Sequence, residues 1–213
     1  SFDVFKKIID QDPKSDLNWK ERFRISGGLE PLTNPDIGKI ISYGNSQGFK
    51  MQMYTNGYAL TPAFLFKQPG ILDLEVMRIS LYGFDQDSYH KTTKNKKGYD
   101  IVKNNLKEFC KLVPQTNSSI KVGVNWIILP GHSDDLKEVF KMVKEINSVS
   151  DFKISFITLR EDFSNSNNYI SNEEREKLYN IFLDIEKDTD LHIDYGYASV
   201  SYTHLTLPTT LNV

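Results

Sequence analysis

Six short apolar runs alternate with helical stretches along the chain, and this alternation constrains the fold more than any other feature. The runs are Arg22–Ser26, Phe49–Tyr54, Val76–Tyr82, Lys121–Leu129, Lys153–Leu159 and Leu191–Ala198, each of strand length and rich in β-branched or aromatic residues. Helical patterns lie between them. Phe2–Ile9 has apolar residues at helical spacing, and a helix opening at Asn34-Pro35 carries Ile37, Ile40 and Ile41 on one face. Thr61-Pro62 opens a short helix. Asp85 to Leu112 reads as a long helical stretch interrupted by the basic loop Lys91–Lys97. Ser133 and Ser171 stand where caps belong for two more, the second with Glu174 as a capping box. Strands that alternate with helices make parallel βαβ units. Five or more such units predict an α/β fold, a TIM-type barrel or part of one, with a doubly wound sheet as the alternative.

In either architecture, ligands collect at the C-terminal ends of the strands. Those ends are polar in this chain: Ser26-Gly27-Gly28-Leu29-Glu30, Thr55-Asn56, Ser80 and Tyr82, Asn125, and Arg160-Glu161-Asp162. A purely structural core does not require polar residues repeatedly at one end of each strand, so this ring is the candidate mouth of a binding or catalytic site. The glycine pair lets a ligand approach the main chain closely.

A formal net charge of −2 over 213 residues argues against a general role on nucleic acid or on membrane surfaces. No apolar run is long enough to span a bilayer as a helix. The single cysteine, Cys110, rules out an internal disulfide and fits a reducing, cytoplasmic setting. It lies mid-helix and reads as core packing. None of His90, His132, His192 and His204 stands at metal-ligand spacing to another, so no metal-binding residue is assigned. His132 is either an exposed loop residue or a contact at the mouth. The Lys91–Lys97 run, with Thr92 and Thr93, is either a solvated loop or a phosphate contact. Ser80 has no histidine arranged for nucleophilic work, which speaks against a hydrolase triad.

The segments SGGLEPLTNPDIG, YTNGYALT, RISLYGFDQDSYHKTT, VNWIILPGH, ITLREDFS and HIDYGYA resemble the radical S-adenosylmethionine superfamily. Within it they are most similar to the radical ammonia-lyases of deoxysugar biosynthesis. The resemblance covers Phe2 to Ala198. It implies a partial (β/α)6 barrel, a [4Fe-4S] cluster held by three cysteines of a CxxxCxxC loop, and S-adenosylmethionine cleaved to a 5′-deoxyadenosyl radical. It further implies hydrogen abstraction from C3 of a nucleotide-linked 4-amino-deoxysugar, loss of the C4 amino group, and an electron donor such as flavodoxin or ferredoxin.

Residue by residue, the resemblance places Ser26, Gly27, Gly28 and Glu30 at the cofactor's amino group, and Asn56, Ser80 and Asn125 elsewhere on the cofactor. Tyr82, Arg160, Glu161 and Asp162 fall on the substrate side. Leu29 departs from the common Gly-Gly-Glu-Pro pattern, and a loop one residue longer would shift ammonium binding from Glu30 toward the glycine carbonyls. The cluster cysteines are absent, so the expectation is an N-terminally truncated, inactive core at 1–199, its first strand and cluster loop lying upstream. Residues 200–213 resemble the translation of a sequencing-library adapter and are expected to be a non-native tail. The alternative functions are another radical dehydrogenase, a peptide-modifying enzyme, or a non-catalytic ligand-binding barrel.

Overall fold

Six parallel strands form one sheet in sequence order, β1-β2-β3-β4-β5-β6. The structure is a computed structural model that describes residues 1–11, 22–161, 170–188 and 191–194. The strands are β1 (Arg22–Ile25), β2 (Lys50–Thr55), β3 (Val76–Leu81), β4 (Lys121–Ile128), β5 (Ile154–Glu161) and β6 (His192–Asp194). Helix α1 (Phe2–Gln11) precedes β1. The connections hold α2 (Ile37–Ser46), α3 (Pro62–Lys67), α4 (Gln86–Thr93) with α5 (Gly98–Leu112), α6 (Asp135–Asn147) and α7 (Asn172–Asp188). The two end strands do not pair, so the sheet is an open α/β barrel rather than a closed one.

The register explains the alternation within the strands. Residues paired across parallel strands point to the same side of the sheet. One such row is Ile79, Val124, Ile157 and Ile193, all fully buried. Another joins Met77 to Val122 and Ile154. This face is covered by the helices: α2 buries Ile37, Ile40 and Ile41, α5 buries Val102, Leu106 and Phe109, and α6 buries Leu136, Val139, Val143 and Ile146.

The rows of the opposite face are polar. They run Arg24, Gln52, Val76, Lys121; then Tyr54, Arg78, Gly123, Phe156, His192; then Ser80, Asn125, Thr158. A parallel sheet normally buries apolar residues on both faces. A polar inner face marks a lumen with a use other than packing.

Several local expectations change. The Pro31–Thr33 segment is a short 3₁₀ turn, and α2 begins at Ile37 with Asp36 as its N-cap. Asn34 instead accepts the Asp36 amide with its side chain at 2.9 Å. Ser133 does not cap α6: Asp134 occupies that position, and Ser133 is buried with its amide donating to Glu174 at 3.2 Å. Ser171 does accept the Glu174 amide at the start of α7. The Glu174 side chain, however, reaches Gly131 and Ser133 rather than returning to the cap. In both cases a tertiary partner competes successfully with a local cap. No described helix is long and apolar enough to cross a membrane. Residues 195–213, including the proposed adapter tail, lie outside the described residues.

Candidate functional site

The C-terminal ends of β1, β2, β3 and β5 open into a cavity of about 760 Å³. Its wall contains Ser26, Gly27, Gly28, Leu29 and Glu30 after β1, Thr55 and Asn56 at the end of β2, Ser80 and Tyr82 from β3, and Thr158 and Arg160 from β5. Arg24, Tyr54 and Arg78 complete it. Of the residues picked from sequence, Ser26, Gly27, Gly28, Glu30, Asn56, Ser80, Tyr82 and Arg160 are thus brought together. Asp162 lies outside the described residues, and of Glu161 only the main chain is described.

Asn125 is buried behind the wall, level with Ser80 and Thr158 on the inner face. Its Oδ1 is buried without a hydrogen-bond partner among the described residues. A buried amide oxygen without a partner is rare and stands out on this inner face.

The glycine turn is open. A Cβ added at Gly27 or Gly28 would meet nothing within 4 Å, so the main chain there faces free space. Gly27 has φ +153°, which side chains rarely adopt. Leu29, inserted before Glu30, is 86% exposed at the rim. The Glu30 carboxylate turns inward instead. It accepts the Leu32 amide at 3.1 Å, the Thr55 hydroxyl at 2.5 Å and the Asn56 amide at 2.8 Å.

The β2 turn is wired from several sides. Thr55 Oγ1 accepts the Gly57 amide at 3.1 Å, and Asn56 Oδ1 accepts the Tyr58 amide at 2.9 Å. The latter bond fixes the side-chain orientation of Asn56 and leaves its NH₂ as a donor at the mouth. Gly57 takes φ +71°. From the helix layer, buried Asn105 donates to the carbonyls of Gly57 at 3.1 Å and Tyr58 at 2.8 Å.

Arg78 lies deeper. Its guanidinium sits 5.5 Å from the Tyr54 ring centre and 5.1 Å from that of Phe156, within cation–π range on both sides. With Arg24 and Arg160, it makes the wall rich in fixed positive charge. Arginine forks suit carboxylates and phosphates. At the rim, Tyr82 packs edge-to-face on Tyr89, whose phenol burial pushes above its usual range, with Tyr82 next in effect.

Sequence reasoning missed Arg24, Tyr54, Arg78 and Thr158. The available signal was alternation: Arg24 and Ser26, Arg78 and Ser80, and Thr158 and Arg160 are each two apart on one strand, so each pair shares a face. Other candidates fall away from the cavity. Thr92 and Thr93 bond back to the carbonyls of Ser88 and Tyr89 within α4. His132 is exposed, with Nδ1 2.8 Å from Asp135. Cys110 is fully buried in α5, and burial pushes its thiol up to about 12. Among the described residues, no three His, Cys, Asp or Glu side chains converge to hold a metal ion. The chain's one cysteine therefore does not fit an iron–sulfur cluster, whereas the donor set of the mouth fits an amino-acid-bearing nucleoside.

No protein-family model matches the chain. Solved structures share its fold. A TYW1 structure with a lysine–pyruvate adduct superposes with a TM-score of 0.57 over 88% of this chain and 58% of its own, at 16% identity. Streptococcus suis SuiB bound to S-adenosylmethionine gives 0.58 over 81% of this chain and 38% of its own, at 14% identity. The open parallel barrel is the fold that these solved structures share. More particularly, the chain is a homologue of dTDP-4-amino-4,6-dideoxy-D-glucose ammonia-lyase from Streptomyces venezuelae, 35% identical over 202 residues. The match covers 92% of this chain and 41% of that enzyme. It is also 22% identical over 171 residues to an AdoMet-dependent heme synthase of Methanosarcina barkeri, covering 79% of this chain and 46% of that one. The chain thus spans less than half the length of these curated relatives.

Proposed function

We propose that the whole protein is a radical S-adenosylmethionine lyase that removes ammonia from a nucleotide-linked 4-amino-deoxysugar. The observation that carries this reading is the open Gly27-Gly28 main chain facing the same cavity as Asn56, Ser80 and a set of arginines, in a homologue of an ammonia-lyase.

In this reading the carbonyls of Ser26, Gly27 and Gly28 accept hydrogen bonds from the cofactor's ammonium. The Asn56 NH₂ and the Ser80 hydroxyl hold its carboxylate, and Asn125 is the candidate for a ribose hydroxyl. When bound, S-adenosylmethionine supplies hydrogen-abstraction chemistry on reductive cleavage. A [4Fe-4S] cluster would need cysteines other than the single Cys110 and would supply the electron, with a flavodoxin or ferredoxin as its donor. Arg160 and Arg24 bind the diphosphate of the substrate, and Tyr82 packs against it at the rim. Their task is orientation: a sugar held by its diphosphate presents one C–H to the reacting centre.

The test uses the full-length protein, anaerobically reconstituted and reduced, with the dTDP-aminosugar. Equal amounts of 5′-deoxyadenosine and ammonia are expected. Formation of 5′-deoxyadenosine with an oxidised sugar and no ammonia would make the enzyme a dehydrogenase. No 5′-deoxyadenosine with any sugar or peptide substrate would leave a ligand-binding barrel.

A further inference from the structure

The Glu30 carboxylate has four lone-pair directions, and three are already taken inside the protein. One oxygen accepts both the Leu32 amide and the Thr55 hydroxyl, and the other accepts the Asn56 amide. Two of the partners lie on the next strand's turn, 25 and 26 residues away. Thr55 passes the constraint on to the Gly57 amide, and Asn105 holds the same turn from behind through the carbonyls of Gly57 and Tyr58. The inserted Leu29 is what permits this: it stands in solvent at the rim while the next residue turns in beneath it.

We infer that Glu30 is a positioning residue, a strut that locks the Thr55–Gly57 turn against the glycine loop rather than a group that itself contacts the ligand. The strut sets where the Asn56 NH₂ points, because the Asn56 backbone amide is fixed by Glu30 and its side-chain oxygen by Tyr58. A ligand-binding carboxylate would keep its lone pairs toward the cavity; this one spends them on two backbone amides and a hydroxyl of the protein. The assignment of the ligand rests on the S-adenosylmethionine reading, whereas the strut itself does not.

The experiment has two arms on the full-length protein, comparing the parent with Glu30→Gln and Thr55→Val. Thr55→Val removes the hydroxyl that donates to Glu30 and accepts from Gly57, leaves Glu30 itself in place, and is nearly isosteric. In the first arm, amide hydrogen exchange is measured without ligand. Exchange at Asn56 in both variants, and at Gly57 in Glu30→Gln, is expected to rise roughly tenfold, whereas Gly57 in Thr55→Val loses its own acceptor and does not discriminate. Unchanged exchange at both amides would overturn the strut. In the second arm, S-adenosylmethionine binding is measured by calorimetry. The strut predicts that both variants weaken binding to a similar degree, roughly tenfold. Loss of binding in Glu30→Gln, with Thr55→Val at parental affinity, would make Glu30 the ammonium ligand and overturn the assignment. No binding by the full-length parent would remove the cofactor reading, and the exchange arm would still decide the strut.

Discussion

A Cβ on Gly123 would stand 2.1 Å from Cε2 of Phe156, so the absent side chain on β4 is what lets the β5 ring lie across the lumen. There the ring comes within 5.1 Å of the Arg78 guanidinium, whose other side faces Tyr54. This aromatic–cation–aromatic row separates the 760 Å³ mouth from a second cavity of about 520 Å³ toward the other end of the barrel, and Arg78 lines both. Closed barrels of this type fill their interior with layers of aliphatic side chains. The layer here carries a charge held by two rings.

Gly123→Ala forces Phe156 out of its place and is expected to cost about 1–3 kcal/mol by overpacking. Urea unfolding monitored by circular dichroism measures it. Adding Phe156→Leu to the same variant should recover part of the loss. A double variant as unstable as the sum of the two singles would show that the two residues do not act on each other.

Asn105→Ala removes the only described side-chain support of the Gly57 and Tyr58 carbonyls and is expected to cost about 1–3 kcal/mol, because both acceptors lie near the buried helix layer. The same denaturation assay applies. Loss of stability without faster exchange at Gly57 would place the effect elsewhere than the turn.

Asp85 caps α4 by accepting the Ser88 hydroxyl at 2.6 Å and its amide at 2.8 Å. These bonds, the hydroxyl first, hold its carboxyl below the ordinary value of 3.8. A group whose folded pKa is depressed stabilises the fold fully above the unfolded value and loses that contribution as pH falls through the folded one. Asp85→Ala should therefore cost about 1 kcal/mol at neutral pH. The gap between variant and parent should narrow below pH 3.8, toward the folded pKa. A gap independent of pH would show that the charge of Asp85 contributes nothing.

Cys110 keeps its proton at physiological pH, because burial lifts its pKa to about 12 from 9.0. An aromatic disulfide reagent at pH 8 should release no thiolate from the native chain and one equivalent after denaturation. Rapid native reaction would mean that α5 opens far more readily than its packing indicates.

Much of this arrangement was legible in the residues themselves. Strand and helix alternation specified parallel βαβ units, and the polar strand ends pointed to the mouth, because both are local properties of the chain. Alternation also placed Arg24 with Ser26, and Arg78 with Ser80 and Tyr82, on common strand faces. It does not say which face looks into the lumen, so those arginines are recognisable as cavity residues only once the helices are seen to cover the opposite face. Caps misled at Ser133 and Glu174 for a related reason: the better partner of the loop amides lay 41 and 43 residues along the chain.

The sequence by itself thus determined the class of fold, the position of the glycine turn and the polar character of the mouth, since short-range periodicity and backbone freedom depend only on neighbouring residues. Tertiary structure alone decided the role of each polar group. In the sequence Glu30 is a carboxylate beside a glycine turn, and only the fold brings Thr55 and Asn56 to its oxygens; Gly123 reads as an ordinary strand residue until Phe156 lies over it. A side chain's chemistry is set by which partners reach its lone pairs or fill its space, and those partners are brought there by the pairing of neighbouring strands.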